Sequence, residues 1–157
     1  MKIAFEYPLK AVAAVVIWVM IEHGLGFNTT NHQVGQYTRM ASAFLLILFV
    51  YLAVRERKTQ LQGTIGFSEA FKTGFFTVTF YALLSATWFH VYATWVNPDF
   101  YPSLKSFKVN QLMQSGATQQ VMDSAMKEIE MSYSGSVVSY LLLVVFTLIM
   151  GGIVTAT

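Results

Sequence analysis

Four apolar stretches dominate this chain and leave it few ways to fold. Residues 9–27, 34–54, 73–96 and 135–156 each form a run of mostly apolar side chains. A helix that crosses a hydrocarbon core of ~30 Å needs roughly 20 such residues at ~1.5 Å each. All four stretches meet or approach that length, and Thr73 to Val96 contains no Asp, Glu, Lys or Arg. The expected fold is therefore all-α: an integral membrane four-helix bundle occupying the whole chain as one domain. The segment 97–134 is then a helical extracytoplasmic hairpin between the third and fourth spans.

Composition supports this reading. Apolar residues make up 55% of the 157 residues and charged residues 11%, against ~25% charged in soluble domains. A chain this apolar and this short cannot bury its apolar surface in a core of its own, so the lipid bilayer and other integral membrane proteins are the expected partners, with a homo-oligomer left open. The net charge of +2 carries no basic patch of the kind nucleic acid requires. The absence of cysteine removes thiol nucleophiles, thiolate metal sites and four-helix thiol oxidoreductases.

Lys2 and Lys10 precede the apolar run Ala11 to Ile21, as in a signal peptide, but no small-x-small cleavage pattern follows. An uncleaved first helix is expected, with Pro8 suited to its first turn. Arg55, Arg57, Lys58 and Lys72 flank the second and third spans, whereas residues 28–33 hold no Lys or Arg. The positive-inside rule then puts both termini and residues 55–72 in the cytoplasm. The last residues, Gly151 to Thr157, carry no cationic anchor, and the native chain can extend beyond them.

The second span contains a conflict. Met40 to Val54, between Arg39 and Arg55, amounts to only about 22 Å of helix. Extending the span back to Val34 puts Arg39 about one turn inside the outer boundary. Glu22 sits at a matching depth on the first helix. A polar pair, Glu22 with Arg39, would lower the cost of either charge, which alone is ~2.5–3.5 kcal/mol at a helix centre. The competing reading has both side chains snorkel to the headgroups.

Both loops have readable patterns. Residues 101–114 and 118–131 read as helices broken near Ser115-Gly116. Val121, Met122, Ala125, Met126 and Ile129 mark one apolar face, and Asp123 and Lys127 stand at a favourable i, i+4 spacing. Such a hairpin would lie on the outer membrane surface or cap the bundle. On the cytoplasmic side, Gly63 to Phe67 reads as a turn before a short helix that Ser68 can cap, with Glu69 in its first turn. Phe67, Phe71, Phe75 and Phe76 would anchor the third helix at the interface.

The run Gly63-x-Ile65-x-Phe67-x-Glu69-Ala70-Phe71-Lys72-x-Gly74-Phe75 and the exit Trp95-Val96-Asn97-Pro98-Asp99-Phe100 resemble a bacterial family of small four-helix inner-membrane proteins catalogued only as a domain of unknown function. The charged loop and the last helix with Gly151 and Gly152 fit the same family in order and spacing. The resemblance implies the fold and an inner-membrane location. It implies no activity and no functional residue.

His23 and His90 are the candidate intramembrane polar residues, both toward the outer face. Paired, they could ligate haem or a metal. The plainer reading is hydrogen bonding within an aromatic belt of Trp88, Tyr92 and Trp95, so no cofactor and no metal is expected. His32 is read as a solvated loop residue. Asn28-Thr29-Thr30 matches a glycosylation pattern that has no use in a bacterial membrane protein. No enzymatic role is expected. The leading function is an accessory or scaffolding subunit of a larger membrane complex, because helices two to four lack central charges and small residues such as Ser85, Ala86, Gly151 and Gly152 permit close helix contacts. The alternative is a small-solute or proton-coupled transporter acting as a homo-oligomer, with Glu22 as its charged group.

Overall fold

The computed structural model describes residues 2–134 and 136–156. Met1, Gly135 (the expected start of the fourth span) and Thr157 lie outside the described residues, as do the side chains of Lys2, Ala4, Val154 and Ala156. Helix α1 runs Lys2–Gly24, α2 His32–Thr38, α3 Ala41–Gln60 and α4 Phe67–Val91. A π turn, Tyr92–Val96, extends α4. Helices α5 (Phe100–Gln114) and α6 (Gln119–Tyr133) form the hairpin, and α7 spans Val137–Ala156. No strand occurs among the described residues.

Two helical runs, 32–60 and 67–96, are long and apolar enough to cross a membrane, and a third qualifies if the sharply bent α6–α7 pair is one span. The four-span expectation is thus met in part by length and apolarity. Helix α1 carries Glu6, Lys10 and Glu22, which lowers its apolar character. Glu6 and Lys10 pair at 2.6 Å on its exposed side.

Helix α4 is the centre of the bundle and packs against α1, α3 and α7. Its inward side carries Val78, Ala82 and Ala86, all but inaccessible. Val78, with Tyr81, meets Ala11 and Val15 of α1 and Leu46 and Val50 of α3 in one apolar core. Alanines on a central helix let three neighbours approach closely. Gly151 on α7 serves the same end, since a Cβ there would collide with Val78. Gly74 on α4 likewise faces Thr155 and Val50. A second cluster, Tyr92, Phe100, Leu104 and Ile129, fixes the α5–α6 hairpin to the end of α4.

Several local expectations are corrected. Pro8 lies inside α1, well past its first turn. The expected 34–54 span falls within the single run 32–60, in which i→i+3 bonds such as Met40 N–H to Tyr37 O tighten the turn at Arg39–Met40 between α2 and α3. Gly66, rather than Ser68, is the N-cap of a continuous α4. Glu69 does lie in the first turn, and it accepts two hydrogen bonds from Arg57, at 2.7 and 2.9 Å, that tie the α3–α4 loop. The rings of Phe67, Phe71 and Phe75 stack at centroid spacings of 6.0 and 5.9 Å. The hairpin helices fall within a few residues of their expected bounds. Met122, Ala125, Met126 and Ile129 turn inward as the periodicity requires, but Val121 is exposed. Asp123 accepts from Gln119 Nε2 at 2.8 Å and forms no ion pair with Lys127.

Candidate functional site

The chain between α1 and α2 folds tightly enough to bring three polar residues inside. Gly26, at φ +78°, turns the backbone out of α1, and its carbonyl takes the N–H groups of Thr29, Thr30 and Asn31. A left-handed residue at a helix end costs glycine nothing. Gly35 on α2 then approaches the Phe27 carbonyl so closely that a Cβ would not fit. The result is that Asn28 lies between the end of α1 and Arg39 at the end of α2.

Asn28, 2% exposed, is the hub. Its Nδ2 donates to Glu22 Oε2 at 3.3 Å, and its Oδ1 accepts from an Arg39 terminal nitrogen at 3.3 Å. Glu22 and Arg39 are therefore brought together through an amide, with no direct N–O approach within ion-pair distance. Arg39 also lies 5.9 Å over the Phe100 ring, a cation–π arrangement. Asn97, next to the π turn, donates from Nδ2 to the Asn28 carbonyl at 2.9 Å and to the Tyr92 hydroxyl at 3.0 Å. Its own N–H reaches Tyr92 O at 2.7 Å and closes the turn. π turns of this kind recur where a helix must aim a side chain.

His23 and His90 take different positions. His23 Nδ1 is 3.2 Å from the Tyr92 hydroxyl, so it borders the network. His90 is exposed on α4. The His23–Tyr92 contact is of the kind expected within the aromatic cluster; Trp88 and Tyr92 pack against each other at 6.1 Å with Tyr92 buried, while Trp95 is exposed. His32, expected in solvent, is buried. Its Nε2 lies 2.9 Å from Ser103 Oγ, and its ring packs on Phe100 and Phe107, because α5 folds over the α1–α2 loop. Among the described residues no three His, Asp or Glu side chains converge as metal ligands.

The network forms the polar end of a cavity of about 350 Å³ lined by α1, α3, α4 and α7, with Phe100 of α5 and Ser132 and Tyr133 of α6 also on its wall. Val15, Leu46, Tyr81 and Leu143 are among its walls, and Glu22, Arg39 and Trp88 stand at its end. Two buried atoms there have no hydrogen-bond partner: Glu22 Oε1 and Trp88 Nε1. Glu22 is 1% exposed. Buried carboxylate oxygens and indole N–H groups are ordinarily satisfied, since leaving one bare costs ~1–3 kcal/mol or more. The cavity thus has one buried unpartnered acceptor and one buried unpartnered donor at its lining residues, within mainly apolar walls that also carry the hydroxyls of Ser42, Ser85 and Thr147, a composition common to ligand pockets of this size.

Sequence reasoning singled out Glu22 and Arg39 but missed Asn28, Asn97, Tyr92 and Trp88 as members of one site. The available signal was two asparagines at the ends of apolar runs, where an amide can bridge charges. No curated protein and no solved structure matches the chain. The family described as "Protein of unknown function (DUF4199)" matches residues 7–157, which is nearly the whole length, and the chain belongs to it.

Proposed function

We propose that this is an integral membrane protein of four spans, with both termini in the cytoplasm, that binds a small apolar guest between its helices and catalyses no reaction. The observation that carries the reading is the cavity between the helices that ends on the Glu22–Asn28–Arg39 network. Ionisable groups held inside a membrane bundle are costly and ordinarily retained for a task. For the span number, α7 supports the reading with 20 uncharged residues, about 30 Å of helix. For the orientation, Arg55, Arg57 and Lys58 at the end of α3 support a cytoplasmic α3–α4 loop. Membership of the family and the inner bacterial membrane as the location go together in this reading.

Native mass spectrometry of the protein released from nanodiscs tests it. Wild type should carry a non-covalent small-molecule adduct that Ser85→Phe, which fills the cavity, lacks while remaining folded by circular dichroism. An adduct unchanged in Ser85→Phe overturns the cavity as the binding site.

A second reading, an accessory or scaffolding subunit of a larger membrane assembly, is favoured by Gly152, which has open space beside it on α7 as a close-packing partner helix would need. Ala86 and Gly151 lend it less support, because both are used in contacts inside the bundle. Co-purification of one partner in fixed ratio from mild detergent would favour it. A proton-coupled or small-solute transporter shares the interior Glu22 with the binding reading and would additionally move solute across liposomes.

A further inference from the structure

The cavity has a side opening that bears on what can enter it. Most of its lining is enclosed, but Phe146 and Met150 of α7 are 63% and 46% exposed, and Ala43 of α3 is exposed too; all three line the cavity. Its mouth therefore lies between α3 and α7. Both are apolar along this stretch, so in a bilayer the mouth faces acyl chains rather than water. A guest that arrives this way is itself membrane-soluble.

The polar end sets the chemistry of the guest's head. Glu22 and Arg39 cancel in charge and are already coupled through Asn28. A cationic head would add charge beside Arg39, and an anionic head would add charge beside Glu22; in an apolar cavity each leaves a buried charge without a counter-ion. The buried atoms left bare among its lining residues are one acceptor, Glu22 Oε1, and one donor, Trp88 Nε1. A hydroxyl offers the complementary donor and acceptor without charge. We propose, building on the binding reading above, that the cavity takes an uncharged amphiphile with an alcohol-type head, entering from the bilayer between α3 and α7, with its head at Glu22 and Trp88 and its apolar body along Leu46 and Tyr81.

The test uses Trp88 as its own reporter. In a Trp18→Phe, Trp95→Phe background reconstituted in nanodiscs, Trp88 is the sole tryptophan. Three probes are titrated: bromododecanol, bromododecanoate and bromododecyltrimethylammonium, each with bromine on the carbon beside the head so that quenching reports the head's position. The alcohol should quench saturably, be displaced by unbrominated dodecanol, and bind about tenfold more tightly than either charged probe, the ratio expected when a buried polar partner is left unsatisfied. Glu22→Gln leaves Arg39 uncompensated, so the carboxylate probe should gain about tenfold and overtake the alcohol. If that variant does not fold, the ranking of the three probes on the parent decides alone. Equal or stronger binding of a charged probe to the parent overturns the head assignment and leaves the cavity reading standing. Quenching that is non-saturable for all three probes overturns the cavity reading itself.

Discussion

Asn28→Ala should be among the most damaging single changes to this protein outside its apolar core. Asn28 makes both side-chain hydrogen bonds that join Glu22 to Arg39, each at 3.3 Å. Bonds to charged groups contribute about 1.5–3 kcal/mol each. Both are long, so the lower figure is appropriate and the pair amounts to about 3 kcal/mol. Glu22 would then have no partner on either oxygen, in a position 1% exposed. Reversible unfolding in mixed dodecylmaltoside and dodecyl sulfate micelles, followed by tryptophan fluorescence, measures the loss. The mechanism is tested by a cycle: Glu22→Gln and Arg39→Gln should couple by about 1 kcal/mol when Asn28 is present, and by less than half of that in Asn28→Ala. A loss under about 0.5 kcal/mol, or a coupling unaffected by Asn28, would refute the bridging role and indicate that the two charges interact through space.

Other outcomes follow from separate contacts. Gly151→Ala should destabilise by about 1–3 kcal/mol through overpacking on Val78, and adding Val78→Ala should recover part of that; strict additivity would contradict the contact. Arg57→Gln should cost under about 1 kcal/mol, since its pairing with Glu69 is more than a third exposed on both sides; a loss above 2 kcal/mol would mean the loop tie matters beyond the pair. Reporter fusions at residues 60 and 115 should report opposite compartments, and the same compartment at both would reject the topology. Visible spectra of purified protein should show no Soret band, and a band abolished by His90→Ala would establish haem ligation.

The division between sequence and tertiary structure follows from the range of the forces involved. Apolar runs, glycines and the 3.6-residue period act locally, so the sequence alone determined an all-α chain, most helix positions and the α5–α6 hairpin broken at Gly116. The equal depth of Glu22 and Arg39 was legible because a hairpin pairs residues equidistant from its turn. Their linkage was not, because it depends on the side-chain direction of Asn28, set by the left-handed Gly26 and by the close approach of Gly35 to Phe27. His32 reads as solvated in isolation and is buried only because α5 folds over it. Tyr92 and Trp88 belong to an interface belt by sequence position, whereas their turn inward requires α4 to be the central helix and the π turn to shift the register at its end. Only the tertiary structure could assemble the cavity, since its walls come from six helices and two of its unpartnered buried atoms, on Glu22 and Trp88, are 66 residues apart in the chain.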